Sequence, residues 1–579
     1  MDKLILQDAY KQFTLDQDKV LPPEETVARF RDALERVRLD ILKDTVRIDT
    51  GRLGIPVYIS RCGRDAAGII GTRKQMGKGA TPQQSEASAV MELAERFSFF
   101  SFLKQHDRFI RGTLADVRDH AIPFEMIARS VHDESEDLPA SRRIFESLPL
   151  KWTWAHNLTR GTECLVPFDW FYAINEFNGP SAGNCKEEAI LQGICEIVER
   201  HVSSIISHAR LRVPSIRPGS AADPMTRDML AKYARCGIHL FISDFTLDMG
   251  IPSVGVLAYD PATFPQTSEI VWTAGTTPSP EKALSRALTE VAQLAGDFNT
   301  AANYVASGLP KFRRLADAAP VTHPGAETDL ASLPDISHAN IRVEIENCVQ
   351  ALSRRGLEVL LVETTHPGLA IPAFYTIIPG AHFRERSRGT SVGLFAVKHI
   401  AENMPPHTAL AELSAIDAWL PGKYYVQFHL GLCRLKASEP EAGLAHFRRA
   451  LELHPDPEET PTVYSYIGVA LKELGRYDEA LESLRRGAQL DPERTDILNL
   501  MGFCHFKRGE HEQAVGAFQR AVDLDPSSAM DYANLGVNYQ ALGDTEKAVH
   551  CYRMALSLDA GIEFARTRLT QLEAESSKL

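Results

Sequence analysis

The chain has 579 residues, 44% hydrophobic and 24% charged, which is the balance of a globular protein long enough for several domains. With 63 Lys and Arg against 76 Asp and Glu, the net charge of −13 excludes the general electrostatic footprint of a nucleic-acid or anionic-membrane binder. The nine cysteines are odd in number and form no CxxC pair, so reduced thiols are expected, with neither a disulfide frame nor a zinc site.

The N-terminal stretch MDKLILQDAYKQF mixes charges with apolar residues, unlike a secretory signal, and no apolar run reaches the ~18 residues that span a bilayer. A cytoplasmic protein is expected. Across residues 1–404, strand-like runs (PVYIS, FYAI, HLFISDF, SVGVLAY, EIVWTA, LEVLLVET) alternate with helical stretches, which predicts a mixed α/β domain. Within it, 313–340 is rich in Pro, Ala, Asp and His and reads as a loop or insertion. The segment Gly71–Gly79 imitates a phosphate-binding P-loop. It has five residues between its first two glycines where four are required, and Gly79 where the metal-binding Ser or Thr belongs, so it is set aside.

One motif occurs three times, each copy a Gly-containing turn after a strand-like run, followed by a helix. The copies are GKGATPQQSEASAVMELAERFSFF, SAGNCKEEAILQGICEIVERHV and TAGTTPSPEKALSRALTEVAQLAG. Their polar positions are Ser88, Glu92, Glu95; Gln192, Glu196, Glu199; and Arg286, Glu290, Gln293. The spacing i, i+4, i+7 puts each triplet along one helical face. Arg96 and Arg200 follow directly in the first two copies, and Glu188 extends the second stripe back by a turn. The rest of each helix is nearly all apolar, as in a buried helix, and a buried carboxylate is costly unless paired or bound to a metal. A single ExxER fits an ion pair in a core. Three copies at one spacing are more economically explained by one site where the helices converge and hold divalent cations. Carboxylates without Cys or His suit Mg²⁺, and Arg96, Arg200 and Arg286 supply charge for phosphate oxygens. The pattern points to a nucleoside triphosphate bound without a P-loop.

Pro405-Pro406 marks a boundary, and 405–423 is expected to be a linker. Beyond it, Gly431, Gly468, Gly502 and Gly536 recur at intervals of 37, 34 and 34 residues. Each is followed at fixed offsets by a small residue (Gly443, Ala480, Ala514, Ala548) and a large apolar one (Phe447, Leu484, Phe518, Tyr552). This pattern over 424–572 resembles four tetratricopeptide repeats, which implies an all-α solenoid whose surface holds a protein or peptide partner. Residues 573–579 form a tail. Its last three, Ser577-Lys578-Leu579, have the form of a peroxisomal address, for which chance is the simpler explanation.

At the three stripes the sequence resembles the YcaO family. SAVMELAER resembles its SxxxExxER motif, NCKEEAILQGICEIVER its second motif, and RALTEVAQ its RxxxExxQ motif. The short segment KVLPPEETVARF, with Lys19, Thr26 and Arg29, resembles a further nucleotide-contacting stretch. The resemblance covers roughly 15–400 and implies an enzyme dependent on ATP and Mg²⁺ that acts on peptide backbone amides. A nucleophile attacks the amide carbonyl, the oxyanion is phosphorylated by ATP, and phosphate leaves. The product is an azoline ring when the nucleophile is a side chain, or a thioamide when it is sulfide. The resemblance assigns Glu92, Glu95, Glu196 and Glu199 to Mg²⁺. It assigns Ser88, Arg96, Asn184, Glu188, Arg200, Arg286, Glu290 and Gln293, with Lys19, Thr26 and Arg29, to ATP. It singles out no catalytic side chain. Azoline-forming members end in a PxPxP tail, whereas helical repeats follow here, so ring formation is the less expected product. The same layout implies an alternative role as an accessory factor for methylthiolation of ribosomal protein S12 or another client recruited by the repeats. A peptide or protein substrate, a separate protein delivering substrate or sulfur, and a homodimer are the partners implied; nucleic acid and membrane are not.

Overall fold

The computed structural model describes residues 4–175, 177–300, 304, 308–384, 390–525 and 528–576, with side chains to 574; the Ser577–Leu579 triplet lies outside them. The chain divides into two compact units, one of residues 1–138 and 146–392, the other of 139–145 and 393–579.

The first unit carries three sheets. One is an antiparallel triplet, Leu42–Arg47, Val57–Cys62 and Lys74–Lys78. The second runs in the order Val271–Thr276, Ser253–Tyr259, His239–Asp244, Ser215–Ile216, Glu327–Thr328. The third runs Ile110–Gly112, Leu150–Asn157, Leu360–Glu363, Ala373–Ile377, Pro180–Ala182, with Thr162–Pro167 paired to Leu150–Asn157. Helix α1 spans Pro23–Val37, and the three striped helices are α2 (Pro82–Leu103), α3 (Lys186–Ala209) and α4 (Pro280–Ala295).

Each striped helix follows an edge strand of a different sheet: α2 follows Lys74–Lys78, α3 follows Pro180–Ala182 and α4 follows Val271–Thr276. The packing is cyclic. Besides its own strand, α2 lies against Pro180–Ala182, α3 against Val271–Thr276, and α4 against Lys74–Lys78. Glycine makes the close approaches. A Cβ on Gly77 would stand 2.2 Å from the Ala89 backbone nitrogen of α2, and one on Gly275 would stand 2.3 Å from the Ala283 carbonyl of α4. In α3 the glycine is on the helix, where Gly193 faces Thr376 Oγ1 at 2.2 Å from its virtual Cβ.

The outer faces of these helices supply the cores. Val90, Leu93 and Phe97 of α2 join Val27, Phe30 and Ala33 of α1, while Leu284, Leu288 and Val291 of α4 join Val254, Val256 and Val271 of the second sheet. The run FYAI, strand-like in sequence, lies in a helix, Phe168–Asn175. Its buried residues Phe168, Phe171, Ile174 and Asn175 repeat at helical spacing, which a four-residue apolar window cannot distinguish from a buried strand. The stretch 313–340 is mostly irregular, but Glu327–Thr328 pairs in parallel with Ser215–Ile216, and Leu330 and Leu333 enter the second sheet's core.

The second unit is helical. Four helix pairs follow one another: Tyr424–Lys436 with Pro440–Glu452, Thr460–Glu473 with Tyr477–Leu490, Thr495–Lys507 with His511–Leu524, and Ala529–Ala541 with Thr545–Leu558; Glu563–Ser576 closes the array. The recurring glycine accommodates the recurring large residue. A Cβ on Gly431, Gly468, Gly502 or Gly536 would fall 2.5–2.7 Å from Phe447, Leu484, Phe518 or Tyr552 respectively. The stretch 405–423, expected to be a linker, contains the helix Pro406–Trp419, which buries Ala409, Leu410, Leu413 and Ile416. Pro406 sits in its first turn, where proline suits a helix start, so the Pro-Pro pair opens a helix instead of breaking the chain.

Candidate functional site

The three stripes face a cavity of about 630 Å³. Ser88, Glu92 and Glu95 from α2, Gln192 and Glu196 from α3, and Arg286, Glu290 and Gln293 from α4 all line it. Arg96, Arg200, Asn184 and Glu188 join them, as do Lys19 and Thr26 from the N-terminal segment. Five glutamates (Glu92, Glu95, Glu188, Glu196, Glu290) and six cations (Lys19, Lys78, Arg96, Arg200, Arg286, Arg384) therefore share one concave wall. A bound polyanion with its divalent counter-ion needs both signs of charge.

Two residues of the sequence-derived set stand off the wall. Glu199, grouped there with the metal-holding glutamates, is only 1% exposed and lies behind the wall, 3.3 Å from Arg286 and 3.7 Å from Arg200. Seven positions fall about 20° short of two turns, and because Glu95 and Gln293 at the same position do line the cavity, it is the packing of α3 that takes Glu199 behind the wall. Arg29 Nη1 donates to the Asn184 carbonyl at 2.9 Å and so buttresses the turn that presents Asn184.

Sequence reading missed Lys78 and Arg384, and it grouped Gln192 in the second stripe without giving it a ligand. Lys78 belongs to the segment set aside as a false P-loop. Its residues Lys74–Lys78 are strand, not a phosphate loop, yet Lys78 at the end of that strand lines the cavity and pairs with Glu290. Strand alternation placed beside the first stripe could have found it. Gln192 accepts a hydrogen bond from Arg286 Nη1 at 3.1 Å, tying α3 to α4.

The electrostatics are uneven. Burial pushes the Glu92 and Glu95 carboxyls up, and Glu196 adds like-charge repulsion to both; Glu95 is raised well above its ordinary value despite Arg96 at 3.5 Å. Burial also raises Glu199, against the pull of Arg286 and Arg200. Burial would raise Glu290 too, but Lys78, Arg200 and Arg286 together hold it below the usual range. Arg96, Arg200 and Arg286 are desolvated by burial, but their neighbouring glutamates more than compensate and raise them. Arg200 Nε is buried with no hydrogen-bond partner among the described residues.

These residues fit a magnesium nucleotide. Among the described residues no three His, Cys, Asp or Glu side chains are drawn together as a ready-made metal cage. Mg²⁺ does not require one, because it binds through one or two carboxylates and fills its shell with water and phosphate oxygens. Repelling carboxylates beside a donor left unmatched in Arg200 are the polarity such a pair would satisfy.

The N-terminal segment fastens this wall. Asp16 Oδ2 accepts from the Ala80 backbone nitrogen ahead of α2 at 2.6 Å. The Val20 nitrogen donates to Glu188 at the start of α3 at 2.5 Å, and Lys282 in α4 donates to the Thr14 and Leu15 carbonyls at 2.7 Å. One strap thus touches the N-terminal ends of all three striped helices and carries Lys19. Among the described residues no helix is long and apolar enough to cross a membrane, and the nine cysteines carry free thiols.

Residues 76–382 match the family described as YcaO cyclodehydratase, ATP- and Mg²⁺-binding, and residues 467–529 and 532–561 match tetratricopeptide repeats. An uncharacterised protein of Methanothermobacter thermautotrophicus is 28% identical over 62% of this chain and 93% of its own length. An uncharacterised protein encoded in the tfuA 3′ region of Rhizobium leguminosarum bv. trifolii is 23% identical over 66% of this chain and 93% of its own. Among solved structures, a heterocyclase in complex with substrate and cofactor is 25% identical at TM-score 0.53, over 66% of this chain but only 55% of that one. YcaO from Methanopyrus kandleri, bound with AMPPCP and Mg²⁺, shares the fold at 22% identity and TM-score 0.50, over 65% of this chain and 95% of that one. By that family description ATP and Mg²⁺ are the cofactors, and the repeats make a peptide or protein the partner class. With more than half of its length matched, the chain belongs to the YcaO family.

Proposed function

We propose that this chain is a cytoplasmic enzyme that uses ATP to activate a backbone amide of a peptide or protein by O-phosphorylation, the step before a thioamide or azoline forms. The observation that carries this reading is the convergence of eight of the nine stripe positions, from three separate helices, on one cavity of mixed charge.

Glu92, Glu95 and Glu196 are the wall carboxylates suited to Mg²⁺, and Glu199 serves them from behind by fixing Arg286 and Arg200. Arg96, Arg200, Arg286 and Lys78 offer charge to phosphate oxygens, while Ser88, Gln293, Glu290, Asn184, Glu188, Lys19 and Thr26 complete the nucleotide's wall and Arg29 supports it through Asn184. ATP supplies the phosphoryl group that turns a poor amide-oxygen leaving group into phosphate, and Mg²⁺ neutralises the charge on that group. The protein's own residues position the reactants and offset charge in a partly dry cavity. Titration of the purified chain with Mg-AMPPCP, beside Glu92→Gln and Glu196→Gln, tests the reading: binding in the parent and loss in the variants support it, and no binding by the parent at millimolar nucleotide refutes it.

The helical repeats favour a second reading, in which bound ATP sets the conformation of the first unit and the repeats recruit a client for methylthiolation by another enzyme, ribosomal protein S12 among the candidates. A pull-down with and without residues 424–579 separates the two. A client captured only with the repeats and unchanged in mass after incubation with ATP favours the accessory role.

A further inference from the structure

Behind the wall of the nucleotide cavity lies a second, smaller one of about 60 Å³. It sits between the N-terminal strap, α3, the start of α4 and the helix Ile341–Arg354. Asp16 and Glu344 line it, and both are only 1% exposed. Each has one carboxylate oxygen, Asp16 Oδ1 and Glu344 Oε2, with no hydrogen-bond partner among the described residues, so the two do not bond each other.

The cations nearby are already engaged. Lys11 reaches Asp18 at 2.7 Å and the other oxygen of Glu344 at 2.6 Å. Lys282 is taken by the Thr14 and Leu15 carbonyls, and Arg286 by Glu199 and Gln192. Glu188 is filled by the Val20 and Asn184 nitrogens. Two buried carboxyl oxygens without a hydrogen-bond partner belong to residues that line one small space, and a buried charge without a partner is costly. Burial raises both carboxyls, so each takes up its own proton unless a cation is there to keep it ionised. The space is wide enough for a small ion with a water or two. Two single carboxylate oxygens, in a space that Thr276, Thr277 and Pro278 also line, form a loose set that suits a large monovalent ion better than Mg²⁺, which demands a tight octahedron.

We propose that Asp16 and Glu344 form a monovalent-cation site, of potassium class, that locks the N-terminal strap onto the helix Ile341–Arg354. The ion orders the strap that presents Lys19, because Gln17, Lys19, Glu188, Gln192 and Arg286 line both cavities. Asp16 and Glu344 themselves stand outside the wall of the nucleotide cavity, so a response to the cation can be read without nucleotide.

The test uses the full chain without nucleotide, in choline chloride exchanged for potassium chloride at constant ionic strength. Thermal unfolding is expected to show a saturable rise in Tm of about 2 °C or more with potassium. Asp16→Asn and, separately, Glu344→Gln are expected to abolish that rise while the chain stays folded by circular dichroism. In the parent, Mg-AMPPCP affinity is expected to be roughly threefold or more tighter in potassium than in choline. Equal Tm in the two salts, or a potassium response that survives in both variants, overturns the site. The Tm readout contains no nucleotide, so its result is independent of whether Mg-AMPPCP binds.

Discussion

Glu95→Gln separates a ligand site from a core ion-pair network. Glu95 is flanked by the like charges of Glu92 and Glu196 and desolvated by the wall, and its one close cation is Arg96 at 3.5 Å. At an effective dielectric near 20 that pair is worth about 5 kcal/mol of gross attraction. Desolvation and repulsion exceed it, because the carboxyl is raised well above its ordinary 4.5. A raised carboxyl means that the folded chain holds a proton the unfolded chain releases, so ionised Glu95 costs stability as pH rises above 4.5 toward the folded value. Glutamine keeps the shape and removes the charge. The variant is therefore expected to match the parent near pH 4.5 and to gain stability as pH rises, reaching about 1 kcal/mol at pH 8. Mg-AMPPCP affinity is expected to fall at least tenfold, since a wall carboxylate is lost. Urea unfolding by tryptophan fluorescence suits the first measurement, as Trp152, Trp154, Trp170 and Trp272 all lie in the first unit, and calorimetry suits the second. If Glu95→Gln loses about 2 kcal/mol at pH 8 and keeps its nucleotide affinity, the glutamate is a structural ion-pair partner and the reasoning is wrong.

Three other outcomes are expected. Lys78→Met should weaken Mg-AMPPCP roughly 10-fold or more by calorimetry and cost under about 2 kcal/mol of stability, since it removes a cavity cation and leaves Glu290 its arginines. Gly275→Ala should destabilise the first unit by about 1–3 kcal/mol in urea, because the new methyl meets the α4 backbone at the Ala283 carbonyl. Acid should loosen the first unit: burial depresses His201 to about 3 and His382 to about 4, and His132 stacks on His382 at 3.7 Å. Between pH 6.5 and those values the unfolded chain binds more protons, so stability should fall as pH falls. The slope should approach 1.4 kcal/mol per pH unit for His201 and be smaller for the half-buried His382. A urea midpoint flat from pH 7 to pH 5 would contradict this.

Much of the site was legible because its chemistry is written in helical periodicity. The i, i+4, i+7 stripes needed no tertiary information to be grouped, and eight of nine positions reach the cavity. Glu199 shares its stripe position with Glu95 and Gln293 yet stands behind the wall, because periodicity groups the residues while only the packing shows which side of the wall each one takes. Lys78 was hidden in a strand whose neighbours imitate a different motif. Asp16 and Glu344 are more than 300 residues apart and meet only after folding, so no local pattern joins them. The repeats were readable because the glycine and the large residue it faces lie within one 34-residue unit. The cyclic pairing of helices with strands of neighbouring sheets was not readable, because it joins segments from under a hundred to about two hundred residues apart.

That cyclic arrangement also governs when the site can exist during folding. The first and third stripes are separated by about two hundred residues, and each helix closes the ring only by resting on a strand from another sheet. No two of the sheets make the cavity alone, and loop closure must be achieved three times before its wall is complete. The cavity should therefore be among the last features to form, with its carboxylates solvated until the ring shuts. Amides of the Lys74–Lys78, Pro180–Ala182 and Val271–Thr276 strands should gain hydrogen-exchange protection together, and a nucleotide added early in refolding should find nothing to hold it.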